Sequence, residues 1–367
     1  MKGEFKHFFP GANTSRGFYS LFDYILPKET ATRIFCIKGG PGTGKSYLMK
    51  KVGQYFNEKG YNIEYHHCSS DSDSLDAIVI KKLKIALLDG TAPHIVDPQY
   101  PGAIDEVLNM GDCWRESGFS SYRSAIISIS KDIKDTFTRA YKYFAAAKNI
   151  HDDWSFYNSD VLDLSKLNLV KEKLKTQILD GLEVSSLGYD RHLFATSFTP
   201  KGIITYIDTL IDNYKRIYVL NGGPGTFKTN ILDYLYKESL KRGLNVEVYH
   251  DPLIPERIEH ILIPSLSIAI VTSNEINQKK FVGNQIYMEE LCDSSLLKKY
   301  SSNINQSKEN FYSLLHQGLD ILASEKPLHD KLEECYTPNM NFEKNEAKFN
   351  EVINKILKYE KEYRSKL

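Results

Sequence analysis

The chain has 367 residues, 41% hydrophobic and 26% charged, an ordinary globular composition with room for two domain cores. Lys+Arg and Asp+Glu both number 47, so the formal net charge is zero; with no dense basic run, the charge gives no reason to expect nucleic acid or an anionic membrane as partner. No stretch nears the roughly 18 apolar residues of a membrane span, the N-terminus lacks a signal peptide's apolar run, and Cys36, Cys68, Cys113, Cys292 and Cys335 are scattered, so a cytoplasmic protein without disulfides or structural zinc is expected.

In chain order, Phe8–Ala12 is a short apolar run that suits a strand, and Arg33–Lys38 is a second that runs straight into glycines. Ser46–Lys59 reads as a helix ended by Gly60, and Asn62–Cys68 as another strand. Asp71 and Asp73 read as caps of a helical turn over Leu75–Ile80, and Leu83–Leu88 as a strand that ends on Asp89. Beyond it, Ile126, Ile129, Ile133, Phe137, Ala140 and Phe144 recur at steps of three and four, one apolar helix stripe facing the core. Strands alternating with helices predict an α/β fold with a parallel sheet flanked by helices and an extra helical segment.

The chain is written twice. Gly39-Gly-Pro-Gly-Thr-Gly-Lys45-Ser46 recurs as Gly222-Gly-Pro-Gly-Thr-Phe-Lys228-Thr229, an offset of 183 that holds without a gap from Arg33/Arg216 to Thr91/Asn274, with 17 identities in 59 pairs. Upstream, at offset 185, His7-Phe8-Phe9 pairs with His192-Leu193-Phe194; downstream, at offset 178, Lys148, His151 and Asp152 pair with Lys326, His329 and Asp330. Three ordered blocks imply tandem duplication, with a P-loop NTPase domain over 1–186, carrying an intact loop, and a second over 187–367, carrying a degenerate one.

Gly39, Gly40, Pro41, Gly42, Thr43, Gly44, Lys45 and Ser46 satisfy GxxxxGK[ST] between a strand and a helix, the context that the motif requires. The glycines let backbone N–H groups point at a β-phosphate, and the helix N-terminus adds positive potential. Lys45 would bridge the β- and γ-phosphates, Ser46 would ligate magnesium, and Asp89, closing an apolar strand, would hold the metal through water. His67 and Asp71 follow the second strand and are candidates for positioning water; His66 and Asp73 share that place, and Lys148, His151 and Asp152 are candidates for reaching the phosphates. In the second copy Gly222, Gly223, Gly225, Thr226, Lys228 and Thr229 persist, but Phe227 replaces Gly44 and Thr272 replaces Asp89, so one tight nucleotide per chain is expected.

The combination of Gly39–Ser46, His67-Cys68-Ser69-Ser70-Asp71, Asp89-Gly90-Thr91-Ala92-Pro93-His94 and the tandem copy resembles an uncharacterised bacterial family of double P-loop proteins, labelled ATPase or nucleotide-kinase-like. The resemblance implies ATP binding and names no acceptor. Gly17-x-x-x-Leu21-Phe22-Asp23 is also weakly similar to the lead-in of RecA- and KaiC-like ATPases, although Asp89 follows Lys45 closely for that class. The leading expectation is an ATPase using ATP and Mg2+, whose hydrolysis rearranges the two halves. The alternatives are a kinase with a small-molecule or nucleotide acceptor, and a nucleotide-binding regulatory protein with little turnover; the small-molecule acceptor or protein partner is not named by the sequence.

Overall fold

The computed structural model describes residues 2–91 and 96–366, so Ala92, Pro93 and His94 lie outside the described residues. The first half contains β1 (Phe5–Phe8), β2 (Gly11–Thr14), β3 (Gly17–Ser20), β4 (Arg33–Lys38), α1 (Lys45–Glu58), β5 (Ile63–His67), β6 (Leu75–Ile80), β7 (Ile85–Asp89), β8 (Asp105–Asn109), α2 (Arg123–Asp160) and α3 (Leu164–Leu179). The second contains β9 (Asp190–Leu193), β10 (Thr196–Thr199), β11 (Gly202–Thr205), α4 (Ile207–Ile211), β12 (Arg216–Asn221), α5 (Lys228–Leu240), β13 (Val246–His250), β14 (Ile258–Ile263), β15 (Ile268–Ser273), β16 (Asn284–Tyr287), α6 (Ser294–Ala323), α7 (Lys326–Tyr336) and α8 (Phe342–Arg364).

Two six-stranded sheets share one order: β1-β5-β6-β7-β4-β8, and β9-β13-β14-β15-β12-β16. Both are mixed, which corrects the expectation of parallel sheets, because β6 and β14 run antiparallel to both neighbours. The reason is local. Leu75–Ile80, expected as a helical turn, is a fully buried run rich in β-branched residues, and the chain returns through the short turn Lys81–Lys84, with no room for a crossover helix. Lys84 takes φ +53° at that corner, and Ser267 repeats it in the second sheet. Phe8–Ala12 is likewise not one strand; the chain breaks at Pro10, and the two pieces enter different sheets.

The smaller sheet, β3-β2-β10-β11, joins the halves: β2 and β10 pair antiparallel at Asn13 and Phe198, and Phe9 and Phe194 exchange both backbone hydrogen bonds just outside it. Asn13 anchors this seam, donating to the carbonyls of Phe198 and Ser69 while accepting from the Tyr141 hydroxyl. Alongside it, Arg191 of the second half grips buried Glu64 of the first through two bonds, 2.9 and 2.7 Å, and also donates to the carbonyls of Tyr24 and Ile25. Burial opposes the Glu64 charge, but Arg191 and Lys81 outweigh it and hold the carboxyl well below its usual range.

The helical segments are exchanged. Val352, Ile353 and Ile356 of α8 enter the core of the first sheet with Phe35, Ile37 and Leu87. Reciprocally, Leu167, Leu174 and Ile178 of α3 enter the core of the second sheet with Leu220, Ile231 and Ile270. Between them α2 and α6 pack along each other through Phe144, Trp154, Phe311 and Leu315. The predicted stripe does lie on this face, but Ile126, Ile129, Ile133 and Phe137 are only half-buried, and full burial begins at Ala140. No helix of the described residues is long and apolar enough to cross a membrane.

Two of the ion pairs between the halves, one buried and one exposed, make a testable contrast. Arg191→Ala leaves the buried Glu64 carboxylate to Lys81 alone and is expected to cost about 3–5 kcal/mol in urea denaturation. Lys201→Ala, which removes the exposed partner of Asp73, is expected to cost less than about 1 kcal/mol.

Candidate nucleotide site

Parallel pairing of β4 with β7 sets Ile37 opposite Asp89, so the strand that enters the glycine loop ends beside a carboxylate. From there the chain turns through Gly42 at φ +65° and Gly44 at φ +83°, left-handed conformations that glycine adopts without strain, and α1 starts at Lys45. The Lys45 ammonium donates to the carbonyls of Gly39 and Gly40, both at 2.8 Å, and lies 3.5 Å from Asp89 Oδ2. Asp89 Oδ1 accepts the Thr91 N–H, and the Thr91 hydroxyl donates to the Gly39 carbonyl, tying this strand end to the loop. Thr43 donates to the Gly40 carbonyl across the loop, and Ser46 Oγ accepts the Leu75 N–H.

That last bond draws in a residue which the sequence reading passed over. Ala77 pairs with Leu88, so Asp76 is level with Asp89 on the neighbouring strand, the placement in which cross-strand side chains meet on one face. Burial, and next the Asp89 charge, push the Asp76 carboxyl well above its ordinary range. Expecting a helical turn at Leu75–Ile80 hid it. The available signal was an acid in the same place of both copies, Asp76 in an apolar run and Glu259 in its repeat.

Other candidates are occupied elsewhere. His67 Nε2 lies 2.8 Å from His7 Nδ1, its Nδ1 bonds the Ser72 carbonyl, and its ring stacks on Tyr206. Burial lowers His67 to about 4, and the repeated His192–His250 pair has the same 2.8 Å contact, with His250 also lowered to about 4. These pairs are built into both halves alike. His66 is fully buried and stacked on Phe8, Asp71 closes its own turn by accepting from Asp73 and Ser74, and exposed Asp73 pairs with Lys201.

The loop is roofed from the opposite half. The Tyr336 ring lies on Gly40, where an added Cβ would meet it at 2.6 Å; Glu333 and Thr337 border Gly42, and Asn345 borders Gly44 and donates to the Thr43 carbonyl.

The second loop keeps the same backbone with different surroundings. Lys228 donates to the Gly222 and Gly223 carbonyls, Thr226 donates to the Gly223 carbonyl, and Thr229 to the Ile258 carbonyl. Phe227 takes Gly44's left-handed turn at φ +61°, a strained setting for a bulky residue. Its ring packs against the core cluster that contains Ile231, Met288 and Leu167. What closes on this loop is α2: a Cβ at Gly225 would meet the Ser155 carbonyl oxygen at 2.1 Å, Trp154 lies against Gly223, and Asn158 donates to the Pro224 carbonyl.

A charge network stands behind it. His151 Nε2 lies 2.6 Å from Glu275 Oε1, and Arg257 Nη1 lies 3.2 Å from the same nitrogen. Burial opposes the Glu275 charge, yet His151, Lys228 and Arg257 hold the carboxyl well below its usual range. Burial also brings Lys228 down to about 8, against the pull of Glu275. Of the repeated trio, His151 therefore serves this network, whereas Lys148 pairs with Asp152 along the helix. In the repeat, Lys326 pairs with Asp330, and His329, Asp330 and Glu333 cluster on α7.

A family model described as Nephrocystin 3, N-terminal, matches residues 20–93, a segment that contains the first loop and Asp89. The chain is similar to that family over this stretch. The comparisons with curated proteins and with solved structures found no match.

The buried network predicts coupled stabilities. Glu275→Gln leaves buried cations without their counter-charge and is expected to destabilise the chain by about 3–5 kcal/mol in urea denaturation. Combining it with Lys228→Met is expected to cost less than the sum of the two single changes.

Proposed function

We propose that the chain is a magnesium-dependent ATPase assembled from two copies of one P-loop unit, with a single working loop at Gly39–Ser46. The observation that carries this reading is the convergence, at one sheet end, of a left-handed glycine loop opening a helix, the Lys45 ammonium, the Ser46 hydroxyl and two carboxylates, Asp89 and Asp76. N–H groups at a helix start and a lysine suit the β- and γ-phosphates of a nucleoside triphosphate.

The donor set also fits magnesium. Ser46, Asp89 and Asp76 offer hard oxygen ligands, and a carboxyl whose proton affinity is raised by burial and a like charge is one that a cation stabilises. Magnesium, when bound, would supply neutralisation of charge on the phosphate oxygens. Lys45 gives up its bonds to the Gly39 and Gly40 carbonyls and turns its charge onto the transferred phosphoryl group. His67 and Asp71, the sequence candidates for positioning the attacking water, are engaged with His7, Ser72 and Ser74, which leaves Asp76 and Asp89 as the acidic groups beside the loop.

Two features support coupling of turnover to movement and a single working site. The roof over the first loop, Glu333, Tyr336, Thr337 and Asn345, belongs to the other half, so a change at the phosphates is felt across the chain. At the second loop Thr272 offers no carboxylate, α2 lies on the glycines, and the chain's own Glu275 faces Lys228.

Calorimetric titration is expected to give one tight ATP per chain, and Lys45→Ala to weaken it at least about tenfold through loss of charge-assisted bonds. Unchanged affinity in Lys45→Ala would remove the first loop as the site. Asp76→Asn and Asp89→Asn are expected to keep metal-free ATP binding and lose most phosphate release. Incubation with ATP, magnesium and a metabolite pool separates hydrolysis from transfer, since a kinase yields a phosphorylated metabolite in place of free phosphate.

A further inference from the structure

We infer that the base of the bound nucleotide sits in a cleft of about 340 Å³ between α1 and α8, so that the pocket is made by both halves of the chain. The inference rests on the reading of Gly39–Ser46 as the triphosphate loop. The cleft begins at Gly44, immediately before Lys45, and runs between Tyr47 and Lys51 of α1 and Phe342, Asn345 and Phe349 of α8. A nucleotide whose phosphates lie on the loop has this cleft as continuous space beside it, and its volume falls in the range of small-molecule sites.

Its walls suit a flat heteroaromatic ring. Tyr47 is 68% exposed and Phe342 64%, two large rings left in water at the mouth of a cleft, where a stacked base would cover them. Deeper, Lys51 sits 4.0 Å over the Phe349 ring and is held there by Glu346 at 2.7 Å, which fixes one wall. Asn345 supplies the polar group. Its Nδ2 donates to the Thr43 carbonyl, whereas its Oδ1 is buried and accepts no hydrogen bond among the described residues. A buried acceptor without a donor is costly, and the exocyclic amino group of a base provides one.

The second copy gives an internal control. There Phe227 stands for Gly44 and packs into the core that holds Leu167, and Leu167 stands for Asn345. The wall contact survives with its members exchanged: Tyr234 stands for Lys51 and Lys171 for Phe349, and Lys171 lies over the Tyr234 ring at 5.3 Å. The matching positions are thus an apolar ring and a leucine in one half, and a glycine and an unsatisfied amide in the other.

The test compares ATP with inorganic tripolyphosphate, by calorimetric titration of the full chain. Phe342→Ala is expected to weaken ATP binding about tenfold, the size of a lost stacking contact, and to leave tripolyphosphate affinity unchanged. Tyr47→Ala repeats the measurement at an exposed side chain whose removal does not disturb the core. Unchanged ATP affinity in both variants, or equal losses for both ligands, would overturn the base pocket. Wild-type chain that binds tripolyphosphate as tightly as ATP overturns the pocket and leaves the loop reading standing; wild-type chain that binds neither removes the loop reading and the pocket with it.

Discussion

Each glycine loop depends on a helix delivered from the far half of the chain. An α/β sheet has two apolar faces, and in the first half one of them is closed by Val352, Ile353 and Ile356 of α8. Burying three such side chains is worth roughly 1.5–3 kcal/mol each, comparable with the whole stability of a small domain. The other half makes the same demand of α3, through Leu167, Leu174 and Ile178. The β2–β10 seam and the Arg191–Glu64 pair then fix how the halves face each other, so the exchanged helices can reach both loops at once.

From one architecture the two loops have diverged by charge and by volume. At the first, Lys45 has Asp89 beside it and glycine at the turn before it. At the second, the lysine is enclosed, a glutamate three residues beyond the Asp89 position takes up the counter-charge, and histidine and arginine complete the set. Lys228 is buried, with its counter-charge in Glu275 behind the loop, whereas Lys45 has its counter-charge in Asp89 at the end of the neighbouring strand. The retained glycines and Lys228 of the second copy are then understandable as structure: they shape the turn against which α2 packs.

Much of this was legible in the residues. Arg33–Lys38, the glycine loop and the helix after it follow from pattern and turn chemistry, because their shape is dictated locally. The repeat was legible because matched residues recur at constant offsets, and the two six-stranded sheets share one strand order. Leu75–Ile80 was misread because two aspartates ahead of it mimic caps, while the turn that makes it a strand lies after it, at Lys81–Lys84. The exchange of α3 and α8 had no local signature at all; an apolar helix face states that it needs a sheet, not which one. Asp76 shared that fate, since its neighbourhood exists only once β6 lies against β7.

The exchange also sets an order of events during synthesis. The face of the first sheet that Phe56 and Leu87 help to form is completed by Ile356, about 300 residues later than Phe56. At about 5–20 residues per second, the ribosome takes roughly 15–60 s to reach that point. For that interval the first half waits with an apolar surface uncovered and the Gly39–Ser46 loop without a roof. Long-range closure of this kind is slow and leaves a nascent chain open to wrong partners, including the matching helix of a neighbouring copy. The exchange of helices is thus also an arrangement in which the first half is completed only after much of the second has been made.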